Sequence, residues 1–202
     1  MKQKYTDKKA MTNKRIVEKA AELFNIKGYA GTSISDIMKA TGMEKGGIYG
    51  HFKSKKEIAL AAFEYNMNRV FKSFDVNSLN GKPSAEKLHI LFRYLEKMYD
   101  EPYLSGGCPL LNTATEVDDT DKELLLKVRQ YLDKFKRLIC EIIKDGVKAK
   151  EISSKTEPEE FAIACIEIFE GGNLLVKVYN DKSYRAKAIS RIKTLIDSEI
   201  MR

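Results

Sequence analysis

Residues 44–57 read EKGGIYGHFKSKKE, bringing Lys45, Lys53, Lys55 and Lys56 together with Tyr49, His51 and three glycines. Ammonium, phenol and imidazole groups suit phosphate oxygens and base edges, and glycine removes the side chain that would hold a backbone away from them. Gly46 and Gly47 each disfavour a helix by about 1 kcal/mol relative to alanine. Their place at the first turn of a short predicted helix suits close approach to an anion, where free N–H groups and the positive dipole end are exposed. Residues for bond-making chemistry are sparse. The chain has two histidines and contains no G-x-S-x-G, P-loop, H-E-x-x-H or dinucleotide fingerprint, so no enzymatic activity and no cofactor is expected. Cys108, Cys140 and Cys165 are odd in number and far apart, which argues against a disulfide framework and against paired metal ligands.

The charge distribution agrees with a polyanion partner. The 202-residue chain carries a net charge of +7, and residues 1–60 hold 13 Lys+Arg against 6 Asp+Glu, which accounts for the whole excess. A basic N-terminal third on a neutral body points to nucleic acid first and an acidic membrane surface second. No apolar run approaches a membrane span, and the basic N-terminus has no apolar stretch or small-residue cleavage site behind it, so a cytoplasmic protein is expected.

The elements that must hold this stretch are helical throughout, because the 3.6-residue period recurs along the chain and no segment alternates long enough for a strand. Helix one is expected from Thr12 as N-cap, through the stripe Ile16, Val17, Ala20, Leu23, Phe24, to a left-handed Gly28. Helix two opens at Ser33 with Asp36 in a capping box and halts at Gly42; helix three covers about 45–52. Ser54 with Glu57 starts a long linking helix to about Phe74. After a loop at 75–83, helices are expected near 84–100, 109–117, 121–149, 157–179 and 183–200, with Thr120/Glu123 and Thr156/Glu159 as further capping boxes. Short helix, glycine turn and short helix form a helix-turn-helix, whose second helix enters the DNA major groove.

The run GYAGTSISDIMKATGMEKGGIYGHFKSKKEIALAAF resembles the N-terminal domain of TetR/AcrR-type transcriptional regulators over about residues 12–65. The resemblance implies an all-α protein of about nine helices: a three-helix DNA-binding domain at 10–70, with the helix-turn-helix at about 33–52, joined by a long helix to an effector-binding and dimerisation domain at 71–202. It further implies a ligand-responsive regulator, most simply a repressor released from a palindromic operator by a small-molecule or electrophilic effector, and working as a homodimer. Carried over by position, Thr32 and Ser33 contact phosphates, Lys45, Gly46 and Gly47 face base edges or backbone, and Tyr49, His51 and Lys55 grip phosphates. Gly50 stands where the family usually has a larger residue, and Glu44 where a small cap is usual. Alternatives stay open for Tyr49 as a half-buried aromatic and for His51 as a capping or packing residue.

In the body, Phe161, Cys165, Ile168, Phe169, Leu175 and Val176, and then Ala188, Ile189, Ile192, Leu195 and Ile196, form two apolar stripes that suit either a core or a self-complementary four-helix interface. Cys108 falls beside a predicted helix start, where the dipole favours a thiolate; it is either an electrophile or oxidant sensor or a small buried hydrophobe. Asn112, Glu116, Phe92, Phe169 and Asn173 complete the expected effector contacts; Asn112 and Glu116 can equally face solvent, and Phe92, Phe169 and Asn173, taken singly, read more readily as core.

Overall fold

The computed structural model describes residues 2–117 and 120–200. Among them the chain forms nine α-helices and no β-sheet: α1 Lys2–Gly31, α2 Ile34–Thr41, α3 Lys45–Tyr49, α4 Lys55–Lys72, α5 Ser84–Met98, α6 Pro109–Val117, α7 Lys122–Lys148, α8 Pro158–Tyr179 and α9 Ser183–Leu195. Short 3-10 turns lie at Val76–Leu79 and Pro102–Leu104, and a π-helical turn at Ile196–Ile200 follows α9. None of the described helices is long and apolar enough to cross a membrane.

The chain divides into two compact units. One comprises Met1–Phe71 with Tyr103–Lys127, the other Lys72–Pro102 with Val128–Arg202. Residues 103–127 thus pack in the same compact unit as the N-terminal helices. In the first unit Ile16, Ala20 and Ala21 of α1 meet Ile37 of α2, Ile48 of α3, Phe52, and Ile58 and Ala62 of α4 in one buried cluster. The 3.6-residue spacing puts each of the helical members on the inward face of its helix, and Phe52 joins them from the turn after α3.

Three expected helix starts are displaced. α1 begins at Lys2, and Thr12 lies inside it with its hydroxyl donating to Lys8 O at 3.0 Å, so Thr12 is not a cap. At α7 the cap is Asp121, whose Oδ1 accepts the N–H groups of Glu123 and Leu124 at 3.1 Å each, while the Thr120 hydroxyl donates to Glu116 O. α8 starts after Glu157 with no side-chain cap, so Thr156 plays no such part. The break at Gly28 is real but differs in kind: φ 77°, ψ 171° is an extended, glycine-only conformation rather than the left-handed helical one, and helix resumes to Gly31.

The second unit packs α5, α7, α8 and α9 around Phe92, Ile139, Ile143, Phe169, Ile189 and Ile192. Gly172 lets α8 and α9 approach closely, because a β-carbon there would lie 2.6 Å from Ala188 Cβ. The α9 stripe of Ala188, Ile189, Ile192 and Leu195 is buried within this chain. On α8 the apolar residues divide: Phe161, Cys165 and Phe169 face inward, whereas Ile163, Leu174, Leu175, Val178 and Tyr179 are exposed.

Candidate nucleic-acid interface

The helix-turn-helix is built as the sequence dictates. The Ser33 hydroxyl accepts the Asp36 N–H at 3.1 Å, and the Asp36 carboxylate accepts the Ser33 N–H at 2.8 Å, closing the capping box of α2. Lys27, 2.8 Å from Asp36, and then the Ser33 hydroxyl and N–H hold that carboxyl well below the usual carboxylate range. Gly42 ends α2 in the left-handed conformation, φ 65°, ψ 26°, and its neighbour Met43 donates to Met38 O. This tight turn sets α3 against α2 through Ile37 and Ile48, both wholly buried.

α3 hides one side chain and shows the rest. Ile48 is buried, while Lys45, Gly46, Gly47 and Tyr49 are exposed, with Tyr49 at 41%. A β-carbon at Gly46 would meet nothing within 4 Å, and at Gly47 it would meet only Met43, nearest its terminal Cε at 3.2 Å. Nothing inside the chain therefore demands glycine at 46. Glu44 precedes the helix but makes no capping hydrogen bond.

The neighbouring polar side chains are positioned individually. His51 Nδ1 hydrogen-bonds Asn13 Oδ1, which ties the turn after α3 to α1. Lys55, in the first turn of α4, lies 4.4 Å over the Tyr29 ring, itself stacked on Phe24. Ser54 Oγ accepts the Glu57 N–H at 3.1 Å, and the Glu57 carboxylate accepts the Lys53 N–H, so the box at α4 closes one residue upstream of the expected position.

Two expected contributors are engaged elsewhere. Thr32 is fully buried, and its hydroxyl donates to Gly28 O at 2.7 Å. Lys56 pairs with Asp121 at 3.1 Å and Glu123 at 3.0 Å, and hydrogen bonding to Glu123 first and Asp121 second raises its pKa. Asn13 and Tyr29 were not anticipated as supports for His51 and Lys55; a Gly-Tyr pair after helix one was visible, but no sequence signal links either residue to its partner.

The expected effector residues fall in different units. In the first, Cys108 is buried immediately before α6, and the Asn112 amide donates to Asn25 O, Asn25 Oδ1 and Gly106 O at 3.1, 3.0 and 2.8 Å. Glu116 accepts the Tyr29 N–H. Asn112 and Glu116 line a cavity of about 30 Å³, room for about one water rather than an effector. In the second, Phe92 packs edge-on to Phe135, Phe169 edge-on to Tyr99, and Asn173 accepts from the buried Arg185 at 3.1 Å.

Comparison with known proteins agrees with this geometry. Residues 16–62 match the model of bacterial regulatory proteins of the tetR family, and residues 84–192 match the tetracyclin repressor-like C-terminal domain. The structure superposes on a TetR transcriptional regulator from Chloroflexus aurantiacus J-10-FL with a TM-score of 0.90 and 37% identity, over 96% of this chain and 98% of that one. A TetR-family regulator from Cytophaga hutchinsonii gives 0.85 and 33%, over 96% of each chain. In sequence the chain is 28% identical over 137 residues to IcaR, the negative regulator of the biofilm operon icaADBC in Staphylococcus aureus (strain Newman), covering 60% of this chain and 70% of IcaR.

Proposed function

Because the chain belongs to the TetR family of transcriptional regulators, which are DNA-binding proteins rather than enzymes, we propose that it is a repressor that leaves its operator when an effector binds. The observation that carries this reading is the exposed face of α3: Lys45, Gly46, Gly47 and Tyr49 point outward around a buried Ile48, with a glycine at 46 that no internal contact requires. Gly46 and Gly47 let the backbone approach base edges or phosphates, Lys45 and Tyr49 supply donors, and Ser33, His51 and Lys55 hold flanking phosphates. Repression, rather than activation, follows the negative regulation named for IcaR.

Two copies related by a two-fold axis would present two such helices to a palindromic operator, with half-sites about 34 Å or a multiple apart. The exposed apolar face of α8, comprising Ile163, Leu174, Leu175, Val178 and Tyr179, supports a self-complementary contact of this kind. The effector is a small molecule or an electrophile, and it acts through α6, the helix whose Asn112 and Glu116 hold the end of α1. Selection of bound duplexes from a random pool, followed by footprinting, tests the proposal. A two-fold symmetric protected sequence is expected; recovery of unrelated sequences with equal affinity would refute it.

A further inference from the structure

Lys8, Lys9 and Thr12 lie on formed helix, because α1 begins ten residues before its expected cap. With Gly50 and His51, which follow α3, they line an open groove of about 250 Å³. Lys8 and Lys9 are exposed and form no ion pair among the described residues, whereas farther along α1 Lys14 is 3.8 Å from Glu18, Lys19 3.4 Å from Glu22 and Lys27 2.8 Å from Asp36.

The opposite wall is equally suited to an anion. Gly50 contributes no side chain, although its right-handed backbone, φ −70° and ψ −14°, is open to any residue. His51 is fixed through Nδ1 to Asn13 on α1, and its Nε2 has no partner among the described residues. Two ammonium groups and an imidazole around an open space form a place for a tetrahedral oxyanion. Gly50 is covalently continuous with α3, so an anion held here lies beside the exposed face of that helix.

We propose that this groove is a phosphodiester site, in which Lys8 and Lys9 clamp one or two backbone phosphates of the DNA lying on α3. The assignment rests on the reading of α3 as the DNA-contacting helix. It gives α1 a direct part in binding, with Lys8 and Lys9 supplying affinity and salt dependence but no sequence preference, since phosphates carry none.

The test uses the full chain and a 30-base-pair duplex that it selects from a random pool, with binding followed by fluorescence anisotropy across a salt series. In the double variant K8Q/K9Q, which keeps good helix formers in α1, the slope of log K against log salt should fall by roughly 0.9 for each phosphate no longer neutralised, hence by about one to two. Discrimination between selected and scrambled duplexes should stay at the wild-type ratio, and K8R/K9R should restore the slope. A wild-type slope in K8Q/K9Q, with helicity intact by circular dichroism, would overturn the site, as would loss of binding to anionic phospholipid vesicles with the duplex slope unmoved. Tyr49→Ala separates the two readings: if it is impaired while K8Q/K9Q behaves as wild type, only the groove is rejected, whereas full affinity in Tyr49→Ala removes α3 from the interface.

Discussion

Glu116 accepts the backbone N–H of Tyr29, and its carboxylate occupies the space that a side chain at residue 28 would need. A β-carbon on Gly28 would lie 1.7 Å from Glu116 Oε1. Tyr29 in turn lies under Lys55, 4.4 Å from the ring centroid. A chain of contacts thus runs from α6 through the kink in α1 to Lys55 at the start of α4.

Gly28→Ala meets two penalties, the glycine-only backbone angles and the collision with Glu116. Backbone strain of this kind costs of order 1–3 kcal/mol, so the variant should lose at least that much stability by urea denaturation and bind DNA more weakly. Glu116→Ala, which leaves the Tyr29 N–H without its acceptor, should cost about 1–3 kcal/mol, and Glu116→Gln, which keeps an acceptor, less. Wild-type stability in Gly28→Ala would mean that the kink does not need glycine.

The Asp36 capping box makes stability depend on pH. Its carboxyl is depressed by Lys27 and by Ser33, so its contribution is fully present above the unfolded value near 3.9 and is lost as pH falls from there toward the folded value. Asp36→Asn should melt below wild type at pH 7, with the gap closing below about pH 4. A gap that stayed constant across that range would show that the charge contributes nothing.

Val178 and Leu174 are 65% and 47% exposed on α8, outside the buried core. Val178→Glu and Leu174→Arg should therefore leave the monomer fold intact while converting a dimer to a monomer by light scattering, and operator affinity should drop with it. Dimers that survive both substitutions would place the interface elsewhere.

Cys108 is 2% exposed, and burial pushes the Cys140 thiol up. Native protein should react slowly with maleimide at neutral pH, and Cys108→Ser should keep wild-type DNA affinity and effector response. Rapid loss of DNA binding on treatment with a mild electrophile, present in wild type and absent in Cys108→Ser, would instead make this thiol the sensor.

Legibility in the sequence followed the range of the interactions. Ser33, Asp36 and Gly42 act within a few residues of their partners, and their roles were plain from spacing. The S/T-x-x-E pattern at Thr120 and Thr156 was misleading because Asp121, one residue on, offers a better acceptor, and because α8 can start with proline and no side-chain cap at all. The first turns of α1 were hidden by a lysine-rich segment with no apolar stripe to report a helical face. At the candidate interface, residue types single out α3, but the tie of His51 to Asn13 spans 38 positions, and that of Tyr29 to Glu116 spans 87. No local pattern encodes such pairs. The inward turn of the Thr32 hydroxyl likewise depends on the kink at Gly28, whose extended conformation could not be distinguished from an ordinary helix stop.

The central claim is that the outward face of α3 contacts DNA, and the most direct measurement is the affinity of Tyr49→Ala for the selected duplex beside wild type at fixed salt. Because Tyr49 is exposed, the variant should keep its melting temperature and oligomeric mass while affinity falls by roughly tenfold or more, equivalent to at least about 1.4 kcal/mol. Undiminished affinity in a folded variant would contradict the account.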